Sequence, residues 1–185
     1  MFRLAFPLAV FLLAATFACA AIESGPAVDS AIPELKADVA TGDDAGKRIT
    51  FTTTRKAKPT VYVFIRGDKF DRPIARYLKG LDKAVLELGK DTHVVAVWLT
   101  DDAEKHRDYL PKVQQSMKFE ATTLAFHAED KNGPNAWAIN DRAHVTTIVT
   151  TIVTDGVKVK ARFAEQSLNE TNVPEVTAAL KPLLK

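Results

Sequence analysis

Two nearly continuous apolar runs with a helical stripe between them dominate the pattern of hydrophobic positions. The runs Thr60–Ile65 and His93–Leu99 are rich in β-branched and aromatic residues, which is typical of strands buried on both faces of a sheet. Between them, apolar residues recur at steps of three and four, which predicts a helix over 71–88. Asp71 is the expected N-cap of this helix and Gly89 its stop. The stripe consists of Ile74, Tyr77, Leu78, Leu81, Val85 and Leu88.

Three further elements are predicted on either side of this unit. Lys47–Thr53 alternates and is rich in Thr and Ile, which favours a strand. Asp101 and Glu104 have the spacing of a capping box and predict a helix that runs on to Met117. Thr122–Phe126 is predicted to be another strand.

The last third of the chain predicts a β-hairpin and a closing helix. Val145–Val153 is a long β-branched run that predicts a central strand and contains a tandem Thr-Thr-Ile-Val repeat. Ile148 and Ile152 are expected on one face of this strand, with Val149 and Val153 on the other. Asp155-Gly156 is a strong hairpin turn, with Val157–Phe163 as the returning strand. The four-residue period keeps the side-chain facing of a strand, so we expect the second repeat unit to extend the strand beyond its neighbours as an edge open to weak self-association. Asn172 opens the last helix.

This order of elements predicts an α/β fold. Strands separated by helices imply right-handed parallel crossovers, and the late hairpin adds antiparallel strands. A mixed sheet with helices on both faces follows. Residues 21–46 are rich in Ala, Gly, Pro and Asp with little periodicity, so we interpret them as a flexible lead-in to a domain over 47–185.

The first twenty residues have the form of a signal peptide. Arg3 precedes an uncharged apolar run, and small residues at Ala18-Cys19-Ala20 predict cleavage before Ala21. The run is short for a membrane-spanning helix. Lipidation of Cys19 is an alternative, although bulky Phe17 fits that site poorly. We expect a periplasmic or extracellular protein with no membrane association after cleavage.

Charge and cysteine content exclude some functions. The chain has 25 basic and 23 acidic residues, so there is no excess of positive charge with which to bind nucleic acid. Cys19 is the only cysteine, and cleavage or lipidation would remove it from redox chemistry. No internal disulfide can form, so stability has to come from packing.

The element order resembles the thioredoxin-like fold in its larger, peroxiredoxin-like form: a three-layer sandwich with a mixed central sheet. The strand Thr60–Ile65 followed at once by the helix looks like the step that carries the family's active site. The resemblance implies redox cysteines in the stretch Gly67–Arg72, where a helix N-terminus would lower their pKa. In this frame Asp68 and Asp71 take the two cysteine positions, and Arg72 follows them. A cis-proline of the family is replaced by Val145, which favours a trans bond.

Other residues suggest chemistry only weakly. Asp68 and Asp71 could bind a metal, but carboxylates at a helix start more often cap it. The histidines at 93, 106, 127 and 144 lack metal-ligand spacing, and we interpret them as scattered surface residues, although His127 and His144 could share a site. Trp137 is either an exposed contact or a hydrophobic plug beneath its loop. Neither a cofactor nor a metal is indicated.

Three functions remain open on the sequence. The first is an exported, redox-inactive thioredoxin-like binding module for a protein, peptide or small ligand. The second is an enzyme of oxidoreductase type with a non-thiol or metal site, and the third is a structural accessory of the cell envelope. The missing thiols favour the first and the third, and fold alone does not decide between them.

Overall fold

The structure is a computed structural model that describes residues 23–89, 91–129, 134–139 and 148–184. Within these ranges the chain forms seven strands and four helices. The strands are β1 Lys36–Val39, β2 Arg48–Thr50, β3 Thr60–Arg66, β4 His93–Leu99, β5 Thr122–His127, β6 Val149–Thr154 and β7 Val159–Glu165. The helices are α1 Phe51–Thr54, α2 Arg72–Leu88, α3 Ala103–Met117 and α4 Val173–Leu180. None of them is long and apolar enough to cross a membrane.

All seven strands form one mixed sheet in the order β2-β1-β5-β4-β3-β6-β7. Strands β3, β4 and β5 are parallel, whereas β6 is antiparallel to β3 and forms a hairpin with β7. The predicted α/β class with a mixed central sheet is confirmed. The three parallel strands end at the same edge of the sheet, which is where ligands bind in open α/β folds.

The helices are unequally divided between the two faces of the sheet. Because β3, β4 and β5 are successive neighbours, their right-handed crossovers place α2 and α3 on the same face. Helix α4 packs there too, through Val176 and Leu180. Among the described residues, the opposite face is covered more thinly, by Phe51 of α1, Trp137 of a short 3-10 turn and Leu35 of the N-terminal segment. Their part of the second outer layer consists of one short helix and of loops.

The predicted strand Lys47–Thr53 is wrong beyond Thr50. Strand β2 has only three residues, and the chain then turns into α1. Phe51 is 4 % exposed and packs into the core of the thinly covered face. Burial of this one aromatic ring outweighs the preference of the following threonines for extended structure.

The segment that was expected to be a flexible lead-in contains strand β1. Leu35 and Ala37 are fully buried, and β1 lies between β2 and β5 in the sheet. The N-terminal segment also runs along the hairpin, where Val159 and Ser30 are joined by a backbone hydrogen bond. Strand β1 has only four residues, of which two are apolar, so its hydrophobic alternation is too short to predict a strand from the sequence.

Helix α3 begins one residue later than the capping-box pattern predicts. Asp102, not Asp101, is the N-cap, and its carboxylate accepts a hydrogen bond from the Lys105 amide at 3.0 Å. An N-cap side chain reaches the third amide of its helix, and Asp102 has that spacing to Lys105. Asp101 is thereby left exposed, without a role in the cap.

Strand β6 is central, as predicted, and the expected open edge is wrong. Its residues Val149–Thr154 pair with β3 on one side and β7 on the other, and all six are buried. The predicted facing is confirmed within the strand: Val149 and Val153 lie in the core beneath the helices, and Ile152 lies in the opposite core. It is wrong for Ile148, which precedes the strand and packs against the core beneath the helices. The returning strand begins at Val159, two residues later than expected. Residues 145–147 of the predicted run lie outside the described ranges.

Candidate functional site: the loop between β3 and α2 and the two recesses beside it

The loop Gly67–Asp71 leaves the carboxyl end of β3 and leads directly into α2. Its last residue, Asp71, is the N-cap of α2, and its carboxylate accepts a hydrogen bond from the Ile74 amide at 3.0 Å. The predicted capping role is confirmed. The loop lies at the edge where the parallel strands end, so the side chains on either side of it face the favoured binding region of such a sheet.

Asp68 belongs to a small ion-pair network on this loop. Its carboxylate lies 3.3 Å from Nε of Arg66 and 3.6 Å from Nζ of Lys69. Partial burial acts to raise the pKa of Asp68, but the Arg66 charge, hydrogen bonds from Arg66 and the Asp68 backbone, and the Lys69 charge outweigh it and lower the pKa. Asp68 is therefore an ionised carboxylate paired with Arg66 and Lys69, while Asp71 is the N-cap of α2.

An apolar groove of about 490 Å³ opens between α2 and α3 beside this loop. Its wall includes Phe70, Tyr109 and Met117. The Phe70 ring lies between buried Trp98 and half-exposed Tyr109, with ring centroids 5.1 Å and 6.4 Å away. Its volume is within the range of ligand pockets, roughly 300–1,000 Å³.

Two cations lie on the rim of this groove. Arg72 is the first residue of α2 and Lys112 lies on the facing helix α3, and both are exposed. Neither has an ion-pair partner within the described ranges. Asp71 is the acidic residue of the lining, and its carboxylate is engaged by the Ile74 amide. The groove therefore combines an apolar wall with two cations that have no ion-pair partner, so it suits a ligand that is both apolar and anionic.

A second, polar crevice of about 230 Å³ lies on the other side of the loop, between it and the start of α3. Its floor includes His106, which is 3 % exposed. The His106 ring packs so closely against Gly67 that a Cβ placed on that residue would lie 2.7 Å from Nε2. Gly67 is therefore required at this point by close approach.

Trp137 is the hydrophobic plug, not an exposed contact. The side chain is fully buried, and its ring lies 5.2 Å from Tyr62 and 5.0 Å from Phe64. Its Nε1 donates a hydrogen bond to the Glu34 carbonyl at 3.1 Å. The residue thus joins its loop to the thinly covered face of the sheet.

Of the three histidines that the structure describes, two do not lie on the surface as predicted. His106 and His127 are buried, and Nδ1 of His127 lies 3.3 Å from the Lys36 carbonyl oxygen. His144 and Val145 lie outside the described ranges, so the possible His127–His144 site and the trans bond stay predictions. Within those ranges no three His, Cys, Asp or Glu side chains are grouped so as to hold a metal ion.

Sequence reasoning missed both recesses. The crevice draws on the start of α3 and the groove on its middle and end, and the position of that helix next to α2 follows from the strand order rather than from a local motif. A usable signal was present: His106 shares its helix stripe with Leu110 and Val113, which places it on the buried face.

Comparisons with known proteins find structural relatives only. No family model and no curated protein matches the chain. A candidate thiol:disulfide interchange protein DsbE from Chlorobium tepidum aligns with a TM-score of 0.62 and 13% identity over 86% of this chain and 99% of its own. A secreted thiol-disulfide isomerase from Corynebacterium glutamicum aligns with a TM-score of 0.59 and 17% identity over 82% and 84%.

Peroxidoxin BcpB from Mycobacterium tuberculosis is also similar, with a TM-score of 0.59 and 14% identity over 84% of this chain and 96% of its own. Identities this low establish the fold and nothing further. The sequence has no cysteine beyond Cys19, so the loop between β3 and α2 contains none. The chain therefore has the thioredoxin-like fold shared by these disulfide-exchange proteins and peroxidoxins, without a redox cysteine on that fold.

Proposed function

We propose that this protein is an exported, redox-inactive thioredoxin-like module that binds an extended acidic peptide segment of a partner protein in the groove between α2 and α3. The observation that carries the proposal is the pairing of an apolar wall with the unpaired cations Arg72 and Lys112 on its rim. Aromatic and Met side chains are enriched where proteins bind partners, and complementary charge supplies specificity.

The open shape of the groove favours a peptide. Tyr109 is 40 % exposed at its mouth, so a small apolar molecule would remain half in water. An extended peptide can insert an apolar side chain between Phe70 and Met117 and keep its carboxylates at the rim. The positive N-terminal end of the α2 dipole adds a further preference for anionic groups.

Export is supported by two independent observations. Residues 1–20 have the charge, apolar run and small-residue site of a signal peptide. In addition, one protein of similar structure is described as secreted. The absence of disulfides does not oppose export, because the chain has no second cysteine to pair.

A peptide titration tests the binding proposal. The probes are two synthetic peptides of equal length, one alternating Glu with Phe and Leu, the other carrying Lys in place of Glu. Binding is followed by the NMR signals of the Met117 methyl group and the Tyr109 ring. We expect the acidic peptide to shift both and the basic peptide to shift neither.

Charge-reversal variants supply the control. Arg72→Glu combined with Lys112→Glu should weaken binding of the acidic peptide at least about tenfold, which corresponds to about 1.4 kcal/mol. Lys56→Glu combined with Lys83→Glu changes the net charge equally at exposed sites outside the groove and should leave the affinity unchanged. Equal weakening by both pairs would show that overall charge, not the groove, attracts the peptide.

A further inference from the structure

One ring nitrogen of His106 faces the polar crevice without a protein partner. Nδ1 of His106 lies 3.0 Å from the main-chain oxygen of Asp102, while Nε2 has no partner within the described ranges. The residue as a whole is 3 % exposed and lines the crevice, but Nε2 is not one of the fully enclosed polar atoms of these ranges that lack a partner. Nε2 is therefore the accessible atom of an almost wholly buried side chain, and it can bind a ligand or water in the crevice.

The contact of Nδ1 with the Asp102 carbonyl determines whether Nε2 donates or accepts a hydrogen bond. A carbonyl oxygen only accepts hydrogen bonds, so Nδ1 must carry the proton that it donates to Asp102. In the neutral ring, Nε2 then presents a lone pair to the crevice. The missing partner is therefore a hydrogen-bond donor.

The charged side chains around the crevice indicate which chemical class of hydrogen-bond donor fits. Arg66 is held by Asp68, and the Asp102 carboxylate is engaged in the cap of α3. Asp101 is exposed and has no hydrogen-bond or ion-pair partner within the described ranges. The acceptors left free are thus an imidazole nitrogen and a carboxylate. Lys105, the other cation of the lining, is exposed at the rim.

We infer that this crevice is a binding site for a protonated primary amine, whose N–H groups are donated to Nε2 of His106 and to the Asp101 carboxylate. An ammonium group has three donors and one positive charge, which matches both free acceptors. A crevice of about 230 Å³ has room for a small alkylammonium ion or the end of a lysine side chain. This site lies across the loop from the peptide groove and shares no lining residue with it.

The test uses ethylammonium chloride as probe and nitrogen-15 NMR of the histidine rings as readout. The spectrum is recorded at about pH 8, above the ordinary imidazole pKa of roughly 6.5. We expect ethylammonium to shift the Nε2 signal of His106 in a saturable way. Tetramethylammonium has the same charge and no N–H group, so it should leave that signal in place. Equal shifts from both ions, no shift from either, or a shift from acetate instead would each overturn the inference.

Three variants locate the site. His106→Asn keeps a donor to the Asp102 carbonyl and removes Nε2, and it should raise the dissociation constant of ethylammonium at least tenfold. Gly67→Ala places a methyl group against Nε2 and should have a similar effect, while Asp101→Asn should cause a smaller loss. His127→Asn alters a buried histidine with the same type of Nδ1 contact elsewhere and should bind normally. Unchanged affinity in both His106→Asn and Gly67→Ala would refute the assignment.

The proposed amine site and the proposed peptide groove can be refuted by separate experiments. Loss of acidic-peptide binding in the Arg72 and Lys112 double variant leaves the amine site intact, because neither residue lines the crevice. Conversely, the peptide titration does not involve His106.

Discussion

At the scale of single residues, Asp71 shows how a carboxylate at the start of a helix acts as its cap. Its carboxylate is occupied by the Ile74 amide, and Pro73 removes one of the other unpaired amides of the first turn. The sequence predicted this cap because Asp, Pro and the apolar stripe lie within a few residues. Local signals of this kind can be read from a sequence.

Replacing Asp71 by Ala should lower the free energy of unfolding by roughly 0.5–2 kcal/mol, since the Ile74 amide loses its acceptor. Urea denaturation followed by circular dichroism measures the change. Asp71→Asn, which keeps an oxygen at the same place, should recover most of it. A variant of full stability that loses ligand binding would mean that Asp71 acts in recognition instead.

His93 gives the fold a dependence on pH. Burial, followed by the charge of Arg55, lowers the pKa of His93 to about 4, although Asp82 opposes the shift. In the unfolded chain His93 binds a proton near pH 6.5, whereas in the folded chain it binds one only near pH 4. Between these pH values unfolding therefore takes up a proton, which favours the unfolded state. The stabilisation is complete above about pH 6.5 and is lost as the pH falls towards 4.

The expected loss for His93 is on the order of 3 kcal/mol across this window, with no further loss from this group at lower pH. His93→Gln, which can still bond to Thr123, should flatten the stability profile between these two pH values. Denaturant unfolding at a series of pH values compares the two proteins. Parallel profiles would assign the pH dependence to other groups.

At the scale of elements, the long periodic segments could be predicted and the short ones could not. Helix α2 and strands β3 and β4 follow from sustained apolar patterns. Strand β1 and helix α1 have four residues each, and they exist because Ala37 and Phe51 find burial in a sheet assembled from distant segments. Tertiary burial of this kind has no local signature.

The tandem repeat in β6 illustrates the same limit. Thr150 and Thr151 lie in one repeat unit, yet their hydroxyls contact Ser24 at 2.7 Å and Tyr77 at 2.8 Å, on opposite faces of the sheet. Thr146 and Thr147 of the first unit lie outside the described ranges. The sequence shows the period of the repeat, but it does not show which distant residues the threonines of the second unit contact.

Deletion of Thr150–Val153 should therefore abolish folding, because it removes four buried residues from a strand paired on both sides. Circular dichroism should show loss of the native spectrum and no cooperative thermal transition. Thr150→Val serves as a milder comparison, since it loses only the hydroxyl contact. A cooperative transition in the deletion variant would show that the flanking residues can take over the register.

At the scale of the whole molecule, the sequence order was sufficient for the mixed sheet, but not for the division of helices between its faces. The sequence analysis predicted helices on both faces of the sheet, but it did not predict which helices share a face. Strands β3, β4 and β5 step in one direction, which places α2 beside α3 and creates the groove. The candidate site therefore depends on strand order, which the sequence did not specify.

Residues 21–185 should be inert in thiol chemistry, since none of them is a cysteine. Purified protein should neither reduce insulin disulfides nor turn over peroxide in a thiol-dependent way. A heat-treated sample is the baseline for both assays. Activity above that baseline would require a redox site of another kind.

The two tryptophans give each face of the sheet its own optical reporter. Trp98 is buried beneath the three long helices and Trp137 in the thinly covered core, and the chain has no others. Trp98→Phe and Trp137→Phe would each leave a single fluorophore that senses one core. Because both rings rest on the same sheet, their emission should change at the same denaturant concentration. Separate midpoints would instead reveal a partly melted state in which one side of the protein has opened and the other is still closed.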